Sequence, residues 1–326
     1  MLELLRRATQ AFTLGDLPRQ PFVRGAIGRD VIGIGQHGGV RQSVDLSRAM
    51  IEMFGRRFGR VLVLLELDFA RQEVVDAYAS GGGPLTADLQ SAMETACGNG
   101  LGLARPCVEA IRAGNLEAPG TFRVGCIDLP QRGFPDPAAS AADPRWKMCR
   151  EILAIRDRDL LDAAREQFIF QEAARVIAAC PAERVLVCGS NAHVGHSSYR
   201  FDRHGLPRLH VPALLHRIAA DLRMNVFSMF FFPVSGQEGL CSDGRGVTRE
   251  LPPADEDPVL RALGELASEP GAYYATDLSL LPAASSEIRL YTQSWDAIVS
   301  AAGVAPMAEA GDAAAPARRP APAVPQ

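Results

Sequence analysis

The chain has 326 residues, with 34 Lys+Arg against 38 Asp+Glu and a formal net charge of -4. Hydrophobic residues make up 47% and charged residues 22%, an ordinary globular composition that excludes a disordered chain, a coiled coil and a nucleic-acid binder relying on bulk positive charge. Length admits one large domain or two small ones, at roughly 100–200 residues each, and the content of Gly (30) and Pro (23) points to a loop-rich, enzyme-sized body.

Residues 1–30 mix Pro, Arg and Gly without period and read as an N-terminal arm. Val31-Ile-Gly-Ile-Gly35 is a short apolar strand running into Gln36-His37-Gly38-Gly39. From Ser43 to Phe58, apolar residues recur at three- and four-residue steps, which predicts a helix. Val61-Leu-Val-Leu-Leu65 is a continuous apolar run, the signature of a strand covered on both faces. Strand, helix and strand in so short a stretch make a βαβ unit, so the sheet is expected to be parallel. Further strands are predicted at Phe122–Asp128, Arg184–Cys188 and Asn225–Phe232, with late strands at Ile288–Tyr291 and Trp295–Val299. Helices are predicted at Leu153–Ala179, which ends before Pro181, and at His210–Arg223. Residues 307–326 are Ala/Pro-rich and are expected to form a disordered tail. The expected fold is therefore a single α/β domain over 31–306, with a mostly parallel central sheet flanked by helices.

Seven cysteines form no CxxC pair and no zinc-ribbon spacing, so reduced, buried thiols are expected. The first residues lack the order of a signal peptide, and no apolar run approaches the ~20 residues that span a bilayer. A soluble cytoplasmic protein with no membrane and no nucleic-acid partner is the expectation.

Polar residues collect at the carboxyl ends of the predicted strands: Gln36 and His37 after the first, Glu66 and Asp68 after the second, Asp128 after the third, His193 and His196 after the fourth. In open parallel α/β sheets that rim is where ligands bind. A carboxylate at a strand end can act as a base, orient a histidine, or simply cap the following turn. His193-x-x-His196 admits a metal site completed by His37, but it lacks the i, i+4 spacing of a helical zinc motif, and two histidines with one acid equally suit metal-free acid–base chemistry. There is no GxSxG elbow and no GxxxxGK[ST] loop, and Gly33-x-Gly35 does not continue as a dinucleotide fingerprint, so neither a nucleotide nor another cofactor is expected.

Taken in order, these segments resemble the erythromycin esterase family over nearly the whole chain. Val31-Ile-Gly-Ile-Gly-Gln-His-Gly is similar to the family's opening Gly-Leu-Gly-Glu-Ala-Thr-His-Gly, and Glu66-Leu-Asp-Phe-Ala with the following Tyr78-Ala-Ser-Gly-Gly to its Glu-Ala-Asp-Phe segment. Val124-Gly-Cys-Ile-Asp128 resembles the strand ending in Gly-x-Asp, and Arg165-Glu-Gln-Phe-Ile the Arg-Asp-x-x-Met helix. Val187-Cys-Gly-Ser-Asn-Ala-His193-Val resembles the His-Asn-x-His-Val strand end, and Trp295-Asp-Ala-Ile-Val the closing Phe-Asp-Ala strand.

The resemblance implies a metal-independent hydrolase of an ester or lactone in a natural product or modified peptide. It implies His37 as the base, Glu66 as its partner and His193 as a second acid–base or oxyanion-stabilising group. Gln36, Asp68, Asp128, Arg165, Ser190 and His196 would then surround the substrate. The chain departs from the family where Gln36 replaces an acid and Ser190 replaces the first histidine of His-Asn-x-His-Val. A loop shortened by two residues places His37 at the family's base position, whereas an ungapped match places Gly39 there. Other readings of the same pocket are a biosynthetic lyase, dehydratase or acyl-transfer enzyme, and a non-catalytic binding protein.

Overall fold

The computed structural model describes residues 1–95, 104–130, 143–196, 212–242, 245–251, 257–282 and 286–307. At its centre is an eight-stranded sheet, in spatial order β1 (Thr9–Phe12), β9 (Tyr273–Asp277), β10 (Ala297–Ala301), β6 (Val226–Pro233), β2 (Val31–Gln36), β5 (Arg184–Ser190), β3 (Val61–Asp68) and β4 (Phe122–Asp128). The run from β10 to β4 is parallel, and β1 and β9 add an antiparallel edge. The sheet is thus mixed and mostly parallel, flanked by helices. A separate antiparallel hairpin, β7 (Gln237–Ser242) with β8 (Arg245–Glu250), stands beside it.

The unbroken apolar runs of β2 and β3 follow from helices on both faces. Ile32, Ile34, Val61, Val63 and Leu65 join one core cluster with Met50 and Phe54 of α3 (Arg41–Arg57) and with Val108 and Ile111 of α6 (Ala104–Glu117). The alternate residues Val31, Leu62 and Leu64 join another cluster with Ile169 and Ala173 of α8 (Arg158–Ala179) and with Leu215 and Ile218 of α9 (Leu214–Asp221). Side chains alternate between faces every residue, so a strand buried on both sides must be apolar throughout.

These crossovers also locate the functional end. The chain leaves β2 over the α3 face and moves one way along the sheet, but leaves β5 over the α9 face and moves the other way. Where neighbouring strands send their connections to opposite faces, a crevice opens at their carboxyl ends. Here that point falls between β2 and β5, which stay in register to their last pair, Gln36 and Ser190. The neighbouring gap is bridged by Asn191, whose carboxamide accepts from the Phe231 N–H at 2.9 Å and donates to the Phe231 carbonyl at 2.8 Å.

Several elements differ from expectation. The first thirty residues are no loose arm: α1 (Leu2–Ala8), β1 and α2 (Pro21–Ile27) bury Leu5, Phe12, Phe22 and Val23, and β1 closes one edge of the sheet. Elements of four to seven residues are too short to show a period. The long helix expected at Leu153–Ala179 is α8, which starts later, at Arg158: Leu153 ends a preceding helix, α7 (Pro144–Leu153), and Asp157 caps α8, its carboxylate accepting from the Leu160 N–H. Ile288–Tyr291 lies in a helix, α11 (Ser286–Ser294), while Trp295–Val299 leads into strand β10. The tail from 308 on, and His210 with the loops 96–103, 131–142 and 197–211, lie outside the described residues. No helix among the described residues is long and apolar enough to cross a membrane.

Candidate active site

Beneath the crevice lies a buried group of charges. Glu66, near the end of β3, is 4% exposed and His193, just past β5, is 2% exposed. His193 Nε2 lies 3.5 Å from Glu66 Oε2, and His193 Nδ1 lies 2.5 Å from Oε1 of Glu166 on α8. The backbone N–H of Ser190 donates to Glu66 Oε1. Position 189 must be glycine for this contact, since a Cβ there would lie 2.4 Å from the same carboxylate oxygen. Arg165, one residue before Glu166, brings Nη2 to 3.7 Å from Glu66 Oε2 and grips Asp128 at the end of β4 with two hydrogen bonds, 2.9 and 2.6 Å. A two-pronged guanidinium–carboxylate pair is both strong and directional. It ties helix α8 to the strand ends.

Opposing effects set the protonation of this group. Burial by itself raises the Glu66 carboxyl, but the charge and hydrogen bond of His193, with Arg165 and the Ser190 N–H, outweigh it and hold the pKa at about 2. Burial by itself would discharge His193, but Glu166 and Glu66 on either side override it and raise the imidazole to about 10. Arg165 is held charged: burial opposes the charge, and Asp128, Glu66 and Glu166 prevail. The result is an imidazolium clamped between two carboxylates, with Glu66 fixed as an anion.

His37 lies in the loop after β2. Its side chain is 34% exposed and its Nε2 lies 2.8 Å from Oε2 of Glu238. Glu238 belongs to the β7–β8 hairpin, is 3% exposed, and accepts from Arg249 through its other oxygen. Gly39 brings the hairpin to this loop. Its φ of +75° favours glycine, its carbonyl accepts from Gly239 N–H at 2.9 Å, and a Cβ at 39 would sit 1.7 Å from the Gly239 oxygen. Position 39 therefore has no room for a histidine, and His37 is the imidazole this loop presents.

The site expected from sequence is thus brought together in part. Glu66, His193, Arg165 and Asp128 converge, but the His37 ring bonds to Glu238 and not to Glu66. Gln36 is 4% exposed and its amide donates to Ser47 Oγ in α3 at 2.8 Å, so it supports the fold and does not face the crevice. Asp68 caps the turn after β3, accepting from Ala70 N–H at 2.9 Å; burial raises its carboxyl. Ser190 contributes its N–H. His196 is drawn away to Asp296, 2.6 Å from its Nε2. The alternative of a metal held by His37, His193 and His196 is not gathered by this structure: each imidazole meets a different carboxylate, and among the described residues no group of three or more His, Cys, Asp or Glu is placed to hold a metal ion.

Two carboxylates escaped the sequence reading. Glu166 follows Arg165 directly in Arg165-Glu-Gln-Phe-Ile, and only the first residue of that pair was singled out. Glu238 sits in Ser235-Gly-Gln-Glu-Gly, which reads as a loop but forms the first strand of the hairpin.

No protein-family model and no curated protein sequence matches the chain. Solved structures do. A succinoglycan biosynthesis protein is similar with a TM-score of 0.68 at 12% identity, over 94% of this chain and 97% of its own. A protein from Bacillus cereus is similar to the same degree, with a TM-score of 0.68, 12% identity and coverage of 94% and 97%. A point variant of the erythromycin esterase EreC, in its open conformation, is similar with a TM-score of 0.63 at 12% identity, over 91% of this chain and 98% of its own. The chain has the erythromycin-esterase-like fold, as the sequence motifs implied.

Proposed function

We propose that the chain is an erythromycin-esterase-like hydrolase that cleaves an ester or lactone in a natural product or modified peptide by metal-independent acid–base catalysis. The observation that carries this reading is the pair His37–Glu238 in the loop after β2, 2.8 Å apart, together with the Glu66–His193–Arg165 group at the carboxyl ends of β3 and β5. An imidazole whose one nitrogen is held by a buried carboxylate keeps a fixed orientation, and the charge it gains on taking a proton is stabilised.

In this mechanism His37 takes a proton from water as the water attacks the acyl carbon, and Glu238 stabilises the imidazolium. Arg165 uses Nε and Nη2 on Asp128; Nη1, which has no acceptor among the described residues, donates to the oxygen on which negative charge develops. His37 then returns its proton to the leaving alkoxide. His193 is enclosed between Glu66 and Glu166, so its part is to hold the Glu66 anion in place and not to donate to the substrate, a revision of the role the family resemblance implied. Glu66 fixes the charge and position of Arg165 from below.

The test is turnover of a panel of esters, lactones and ester-containing peptides by chelator-treated enzyme, beside a His37→Ala variant. The reading requires release of the free acid and alcohol by the wild type and a loss of about 10²–10⁴-fold in the variant. Conversion by elimination would move the reaction to the lyase class, and tight binding without conversion would leave a binding protein on this fold.

A further inference from the structure

A second concave region lies at the amino ends of β3 and β4, the end of the strands opposite the carboxyl rim. It has a volume of about 420 Å³ and is bounded by the starts of β3 and β4, the side of α4 (Gln72–Ala79), and the turn from α8 into β5. That volume is within the range of small-ligand pockets, roughly 300–1,000 Å³. Behind it Val61, Leu62 and Val124 are fully packed, and the apolar surface open to the pocket is that of Ala179, Pro181 and Ala182 in the turn from α8 into β5.

Its border is cationic. Arg60, Arg123 and Arg175 line it, against one carboxylate, Asp76. Arg175 is engaged by Glu172 on its own helix. Arg60 and Arg123 form no ion pair within 4.0 Å among the described residues, although both act electrostatically on the Cys180 thiol in the pocket wall, which places them on the same space. Asp76 accepts from the Gln72 amide at 2.9 Å; burial raises its carboxyl and Arg123 opposes that, so one carboxylate stands against three guanidinium groups. Gly120, at the mouth, adopts φ +84° and has open space where a Cβ would project. The entrance is clear.

We propose that this pocket binds an amphipathic organic anion, its carboxylate or phosphate held by Arg60 and Arg123 and its apolar body lying on Ala179, Pro181 and Ala182. Guanidinium groups match the planar or tetrahedral oxygens of such anions, and their attraction is greatest where an apolar floor displaces water from one side. The site is separate from the hydrolytic crevice, so either can fail without the other.

The test uses phenyl phosphate and phenylacetate as probes, with inorganic phosphate and phenol as the matching fragments. Binding is followed by calorimetry, and occupancy by the rate at which iodoacetamide alkylates Cys180, read by peptide mass. At least one intact probe is expected to bind saturably, more tightly than either fragment, and to slow alkylation of Cys180. Arg60→Glu with Arg123→Glu should weaken binding by at least about tenfold, or about 1.4 kcal/mol. Arg24→Glu, an exposed substitution on α2 far along the sheet, should leave it unchanged. Thermal melting of each variant reports its folding. Absence of saturable binding by both probes, or equal weakening by the Arg24 and Arg60/Arg123 substitutions, would overturn the assignment.

Discussion

His37 and Glu238 are separated by 201 positions in the chain, yet their side chains meet at 2.8 Å. The contact exists because Gly39 admits the hairpin backbone, and because Arg249 holds the other oxygen of Glu238. Burial would raise the Glu238 carboxyl, and the hydrogen bonds from Arg249 and His37 hold it below the usual range. Glu238 is therefore an anion wherever His37 is asked to accept a proton.

Replacing Glu238 by Gln keeps the shape and one hydrogen bond but removes the charge that stabilises the His37 imidazolium. The expected result is a fall in kcat/KM carried by kcat, with KM little changed. Steady-state kinetics on the folded variant check it. An unchanged kcat would mean that Glu238 does not assist His37 in turnover.

The clamped imidazolium makes stability depend on pH in both directions. Glu66 titrates at about 2 in the fold against an ordinary 4.5, so its contribution is complete above 4.5 and is lost as pH falls through about 2. His193 titrates at about 10 against 6.5, so its contribution is complete below 6.5 and is lost as pH rises through about 10. From these two groups Tm is expected to be level between pH 4.5 and 6.5 and to fall on either side. In a His193→Asn variant the alkaline fall should flatten, and a series of melts across pH measures it.

Gly189→Ala is expected to damage the site more than the fold. The new methyl would occupy the place of Glu66 Oε1 and push the carboxylate off the Ser190 N–H, loosening Arg165 above it. Turnover should drop while the melt stays cooperative. Kinetics and thermal melting on the same sample separate the two effects.

The outer edge of β4 is sealed by two side-chain amides. Asn115 bonds both the N–H and the carbonyl of Phe122, at 2.8 and 3.2 Å. Gln72 bonds the Val124 carbonyl and the Cys126 N–H, both at 2.8 Å. Each amide occupies backbone groups that would otherwise pair with another strand. Asn115→Ala should cost about 1–3 kcal/mol, the penalty for leaving buried polar groups unsatisfied. Paired with Gln72→Ala it should also promote association, visible by light scattering near the melting temperature.

How legible these features were depended on how local their causes are. The parallel core could be read because β2 and β3 must be apolar on both faces and α3 has a clear helical period. The converging acids and histidine could be read because strand ends in such sheets share one rim. The β1–β9 edge could not, since four- and five-residue strands carry no usable period. Ile288–Tyr291 misled because a half-buried helix of nine residues offers only Ile288 and Tyr291 to its core, too few to distinguish from a strand. Glu238 was hidden for another reason: its role comes from a hairpin docking on Gly39, a contact between distant segments that neither segment announces.

The most direct test of the central claim is hydrolysis in water enriched in heavy oxygen, run on chelator-treated wild type and on His37→Ala, with products read by intact mass. Catalysis by His37 requires one labelled oxygen in the acid product of the wild type and almost none formed by the variant. Product lacking label, or equal labelled product from both proteins, would contradict it.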